Sequence, residues 1–115
     1  MIPKFRTWNS ETKEIEVFQT YEEISELFLA LSADDGFYSI MQSTCLFDKN
    51  GKEIFEGDIV LVLDSPYTVF YDNEEGSYRL KPHDDRWNVD YMSNFAHSGN
   101  FEVVGNIYEN KEQLW

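Results

Sequence analysis

Ile59-Val60-Leu61-Val62-Leu63 is the longest unbroken apolar run of the chain, and it follows the turn-forming tripeptide Glu56-Gly57-Asp58. A short run of valine, isoleucine and leucine behind a glycine reads as a strand that is apolar on both faces. In a small domain such a strand must be covered on either side, because left in water it would aggregate. It is also far too short to cross a bilayer.

Working outward, Leu46 and Phe47 lead into Asp48-Lys49-Asn50-Gly51-Lys52, where Asn50-Gly51 suits the positive φ angles of a tight hairpin turn. Ile54 and Phe55 follow, and residues 37–42 form an earlier strand. Downstream, residues 67–71 and 77–81 alternate as two strands joined by the turn 72–76. Residues 82–88 are polar and irregular, 89–92 form a short strand, and 94–100 form a loop. Residues 101–108 make the last strand, with Gly105 as a bend or bulge, and 110–115 a closing helical turn. At the N-terminus, residues 4–8 and 15–18 pair as a hairpin across 9–13, with Phe5, Ile15 and Val17 expected on one face. Thr20-Tyr21-Glu22-Glu23 spells a capping box, and Ile24, Leu27, Phe28 and Leu31 follow at helical spacing. The expected fold class is mostly β with α+β character. It is a small barrel or rolled sheet carrying an N-terminal β-hairpin and one amphipathic helix. One domain, 1–115, is expected, with hairpin and helix in 1–36 and the barrel in 37–115.

Composition narrows the function classes. The 115 residues are 42% hydrophobic and 17% aromatic, which supplies a core and argues against disorder. The formal net charge is −13, from 22 acids against 9 Lys or Arg, and such a field repels phosphate. Direct nucleic-acid binding is therefore disfavoured; the basic pairs Lys4 with Arg6 and Arg79 with Lys81 are short. A single cysteine, Cys45, cannot close an internal disulfide and fits a reducing compartment. The opening residues lack the apolar stretch of a secretory signal, so a soluble protein of the cytoplasm, away from membranes, is expected.

Candidate chemistry is sparse. Cys45 could act as a nucleophile beside His83 or His97, yet no local protease signature surrounds it. His83-Asp84-Asp85 with His97 could serve a metal or a small metal-dependent hydrolase, but the spacing matches no ligand motif. Asp48-Lys49-Asn50-Gly51 looks like a calcium loop only superficially, since its glycine comes too early. Asp72 to Glu75 and Asp34-Asp35 are acids of the kind that turns favour, and Gly57-Asp58 opens no phosphate loop. No catalytic residue, metal or cofactor is assigned, and the chain is not expected to be an enzyme. The aromatics Tyr67, Phe70, Tyr71, Tyr78, Trp87 and Tyr91 are the candidate binding residues. Alternation sends about half of each strand outward. Rings flanked by acids then form either a protein-binding surface or the closed ends of the barrel.

Three stretches are similar to the YopX protein family. They are Ile2-Pro3-Lys4-Phe5-Arg6-Thr7-Trp8; the run from Asp48 through Gly51, Glu56-Gly57-Asp58 and Ile59 to Val60; and Val103-Val104-Gly105-Asn106-Ile107-Tyr108-Glu109-Asn110. Family members commonly carry Tyr-Thr-Gly-Leu where this chain has Ser43-Thr44-Cys45-Leu46, so Cys45 occupies a usual glycine position. The resemblance implies a barrel of the Src-homology-3-like type and an origin in temperate phages or prophages of Gram-positive bacteria. It carries over no activity and no functional residue. The expected function is that of a phage accessory protein in the bacterial host, a non-catalytic module binding a host or phage protein. The alternatives are an acidic mimic of nucleic acid directed at a DNA-binding protein, and the small hydrolase. Strand edges and exposed rings also allow a homo-oligomer.

Overall fold

Strand β5 (Asp58–Val62) takes the interior position that its apolar run demands. In the computed structural model, which describes residues 4–32, 38–62, 64–84, 86, 89–91 and 101–109, it pairs on both sides within a five-stranded antiparallel sheet. Its neighbours are β6 (Ser65–Asp72) and β9 (Phe101–Asn106); β7 (Ser77–Pro82) and the two-residue β8 (Asp90–Tyr91) complete the order β8-β7-β6-β5-β9. Register puts Val60 opposite Tyr67 and Val103, and Val69 opposite Leu80. These residues share one face; Val60, Tyr67, Val69 and Leu80 form a buried cluster with Ile54, Val62 and Phe101, and the half-buried Val103 packs against it. Ile59, on the other face of β5, is buried as well. Leu61 is half-buried, and Leu63 lies outside the described residues. The expected class holds: among the described residues 57% are strand, there is one helix, and one sheet curls into a half-barrel.

Two strands precede the helix. β1 (Phe5–Asn9) and β2 (Glu14–Phe18) form the expected hairpin, and β3 (Tyr38–Phe47) pairs with the other side of β1. Phe5 stands opposite Phe18, and Trp8 opposite Ile15. Phe5 therefore shares its face with Phe18 and Glu16, while Ile15 and Val17 go with Arg6 and Trp8. This corrects the expected grouping of Phe5 with Ile15 and Val17. The turn length sets the register, and a single-residue offset exchanges faces.

Helix α1 (Tyr21–Ser32) starts where the capping box puts it. The Thr20 hydroxyl accepts from the Glu23 amide at 3.1 Å, and the Glu23 carboxylate accepts from the Thr20 amide at 3.2 Å. Ile24 and Leu27 are buried, and Phe28 meets Phe5 edge-on at 5.9 Å between ring centroids. The chain forms two compact units, Met1–Ser43 and Thr44–Trp115.

Strand β3 is one continuous strand rather than the separate pieces the sequence indicated, and it changes phase partway. Met41 and Ser43 are buried in its first half, whereas Thr44 and Leu46 take the covered positions in its second. Cys45 sits at the switch with φ 65°, a left-handed conformation in an exposed, non-glycine residue. The Thr44 hydroxyl holds the bend, donating to the Ile54 carbonyl at 2.7 Å and accepting from the Leu46 amide at 3.1 Å. β4 (Glu53–Phe55) follows a turn in which Gly51 alone adopts positive φ, not Asn50 as well. β9 carries the expected irregularity: Gly105 pairs with Ile59 and Val103 with Val60, so Val104 is the extra residue of a bulge.

A left-handed φ costs an L-residue roughly 1–2 kcal/mol, partly offset in glycine by its greater unfolded-state freedom. Cys45→Gly should therefore raise unfolding stability by about 0.5–1 kcal/mol. Cys45→Val should lower it by at least about 1 kcal/mol, both read from urea denaturation.

Candidate functional site

Asp48, Asp58 and Asn106, all within the stretches that resemble the YopX family, are buried polar residues, and their side chains serve the backbone. The Asp48 carboxylate accepts from the amides of Asn50 at 2.9 Å, Lys52 at 2.8 Å and Val103 at 3.0 Å. It thus ties the β3–β4 turn to strand β9. Burial pushes its carboxyl up, but the amides of Val103, Lys52 and Asn50 together outweigh burial and hold it below the ordinary 3.8. Asp58 accepts from the Phe55 amide at 2.8 Å and pairs in register with Asn106. The Asn106 side-chain carbonyl accepts from the amides of Tyr108 and Glu109, ending β9 two residues earlier than expected. Gly57, at φ 82°, donates to the Val69 carbonyl at 2.8 Å and accepts from the Ile107 amide at 2.9 Å. The conformation that position requires is open to glycine at little cost. These residues build turns.

The other polar candidates also have structural roles. His83 is half-buried, its Nε2 lies 2.7 Å from the Thr68 hydroxyl, and burial pulls its pKa down. Asp85, His97, Asp34 and Asp35 lie outside the described residues. Among the described residues no group of three His, Cys, Asp or Glu side chains could hold a metal. Asp72 accepts from Arg79 at 2.9 Å and from the amides of Glu74 and Glu75, so it organises the β6–β7 turn rather than pairing with another carboxylate.

The six aromatic candidates separate. Tyr67 belongs to the core cluster, a correction to its expected place on a binding surface. Its register position opposite Val60 points it inward. Phe70 is half-buried on the opposite face of the sheet, across from Arg79. Trp87 and the side chain of Tyr91 lie outside the described residues. Tyr71 and Tyr78 do come together. They are directly opposed on β6 and β7, with ring centroids 5.1 Å apart and planes at 68°. Tyr71 is 43% exposed. Burial, followed by the nearby Glu56, Cys45 and Tyr71, pushes the Tyr78 hydroxyl up to about 12. The candidate site is thus a tyrosine pair with Glu56 and the exposed Cys45 nearby. The sequence marks both rings as binding candidates, but their pairing and the nearness of Glu56 and Cys45 come from the structure.

Asp48→Ala should cost about 3 kcal/mol, since it strips acceptors from buried or half-buried amides. Because its folded pKa is depressed, the wild-type contribution is complete above about pH 4 and is lost as pH falls further. Urea midpoints compared at pH 7 and pH 3 check this, with a smaller gap between the variants in acid. Tyr78 shifts the other way, so folding favours its neutral form below pH 10 and loses that contribution towards pH 12. Absorbance at 295 nm should show a late tyrosine ionisation near pH 12 that vanishes in Tyr78→Phe.

Comparison with known proteins agrees with this picture of a shared scaffold. The crystal structure of protein EF1440 from Enterococcus faecalis is similar over 100% of this chain and 99% of its own, at 26% identity and a TM-score of 0.66. No curated protein matches. Among the described residues, no helix is long and apolar enough to cross a membrane. The YopX protein family matches residues 4–115, and the chain belongs to that family.

Proposed function

We propose that the protein is a non-catalytic protein-binding module, a phage or prophage accessory protein that meets a host or phage protein in the bacterial cytoplasm. The observation that carries this reading is the Tyr71–Tyr78 pair. An edge-to-face pair with one ring 43% exposed holds its geometry without a ligand. A partner therefore meets a surface already ordered, at little entropic cost. Tyrosine offers a large apolar face with a polar tip, the chemistry enriched at interface hot spots. Glu56 beside Tyr78 adds a negative rim suited to a basic partner. The acidic groups with distinct tasks, Asp48, Asp58 and Asp72, are engaged in turns, which supports the non-catalytic reading.

The net charge of −13 favours one rival, an acidic mimic that occupies the groove of a DNA-binding protein. The two readings differ in salt dependence. A mimic loses affinity steeply between about 50 and 200 mM salt, whereas an aromatic interface loses little.

The test is affinity capture from a Gram-positive host lysate at two salt concentrations, with wild type, Tyr71→Ala and the remote control Leu29→Ala. The expected result is a partner retained at both salts by wild type and control, and reduced about tenfold or more by Tyr71→Ala. Retention unchanged by Tyr71→Ala, or lost altogether at the higher salt, would overturn the tyrosine-face reading.

A further inference from the structure

A groove of about 200 Å³ opens within the Met1–Ser43 unit, between the sheet face that carries Thr7 and helix α1. Leu27 and Phe18 give it apolar walls, Tyr38 stands exposed at one side, and two exposed carboxylates, Glu16 and Glu26, belong to its lining. Thr7 also lines it. This residue is only 2% exposed. Register explains the arrangement: Thr7 lies directly opposite Glu16 on the same sheet face, and Asn9 opposite Tyr38.

We infer that this groove receives a lysine or arginine side chain from a basic segment of a partner protein. Such a side chain is a flexible apolar stem ending in a cation, and the groove matches both parts. The stem lies along Leu27 and Phe18, and the cation finds two carboxylates and an aromatic ring. A volume of about 200 Å³ accommodates one such side chain. The net charge of −13 draws basic segments towards the surface. The two glutamates would repel an anionic ligand, and a wholly apolar one would leave them without a counter-charge. The inference goes beyond the proposed tyrosine face: the groove residues belong to the other unit, and the two sites can fail separately.

The test is NMR titration of the full-length protein, at low ionic strength, with the end-blocked peptide Ala-Ala-Lys-Ala-Ala. Isosteric norleucine, arginine and glutamate peptides are run alongside. Saturable amide shifts should appear at Thr7, Glu16, Leu27 and Tyr38 with the lysine and arginine peptides only. Glu16→Gln with Glu26→Gln should weaken binding at least tenfold. The remote pair Glu74→Gln with Glu75→Gln should change it less than twofold, and Tyr71→Ala should not change it. The inference is overturned if the norleucine peptide binds equally, if shifts spread over the whole acidic surface without saturating, or if the groove variants bind like wild type. Tighter groove binding by spermine than by any peptide would assign the site to a free polyamine and overturn the partner-protein reading.

Discussion

Strand β5 can exist only where apolar atoms cover both of its faces, and the architecture of the larger unit follows from that constraint. Ile59 on one face and Val60 and Val62 on the other are all withdrawn from water. A strand so placed needs hydrogen-bonding neighbours on both edges, which β6 and β9 supply. It also needs its ends closed without leaving backbone amides bare in the interior. The buried side chains of Asp48, Asp58 and Asn106 meet that need, each accepting backbone amides around the strand ends. Burying a carboxylate is expensive in isolation; accepting several amides is what makes it tolerable. Apolar strand and polar turns are thus one device, since removing either would leave the other uncompensated.

The same device separates family likeness from function. The best-matching stretches include the buried acids, Gly57 at its positive φ, and the asparagine that stops β9. Each residue type there answers to backbone geometry: an acceptor of the right reach, or a residue without a Cβ. Likeness in these positions identifies a scaffold, and a scaffold accepts many surfaces. Tyr71, with its ring 43% exposed, lies outside that set, whereas its neighbour Tyr78 packs against the core cluster.

Much of the fold was legible in the sequence because it is written in local rules. The capping box at Thr20–Glu23, the polar turns after Asn9 and Asp72, the apolar run of β5 and the Gly105 bulge each depend on residues within a few positions of one another. The misreadings lie where distant residues decide. Phe5 was grouped with Ile15 and Val17, but the pairing Phe5↔Phe18 sets the faces, and register is not local. β3 was divided because its covered positions pass from odd to even at Cys45. A period-two reading breaks there although the strand continues. Its usual glycine gave the one available hint, and only a left-handed φ turns that hint into a bend.

The candidate sites were less legible, for a related reason. Alternation could say that Tyr67 and Tyr71 share a face, yet one is in the core and the other is 43% exposed. The difference is position along the strand. Tyr67 faces Val60 on the central strand, whereas Tyr71 lies beyond the end of that pairing, beside the β6–β7 turn. No local rule groups the residues that line the groove, because they come from the hairpin, the helix and strand β3. The register that sets Thr7 beside Glu16 brings them to the same space that Leu27 and Glu26 of the helix line. Acids that look like solubility features in a sequence become specific once an apolar wall and an aromatic ring stand among them. A cation held there is partly withdrawn from water, where each charge contact is worth more than on an open surface.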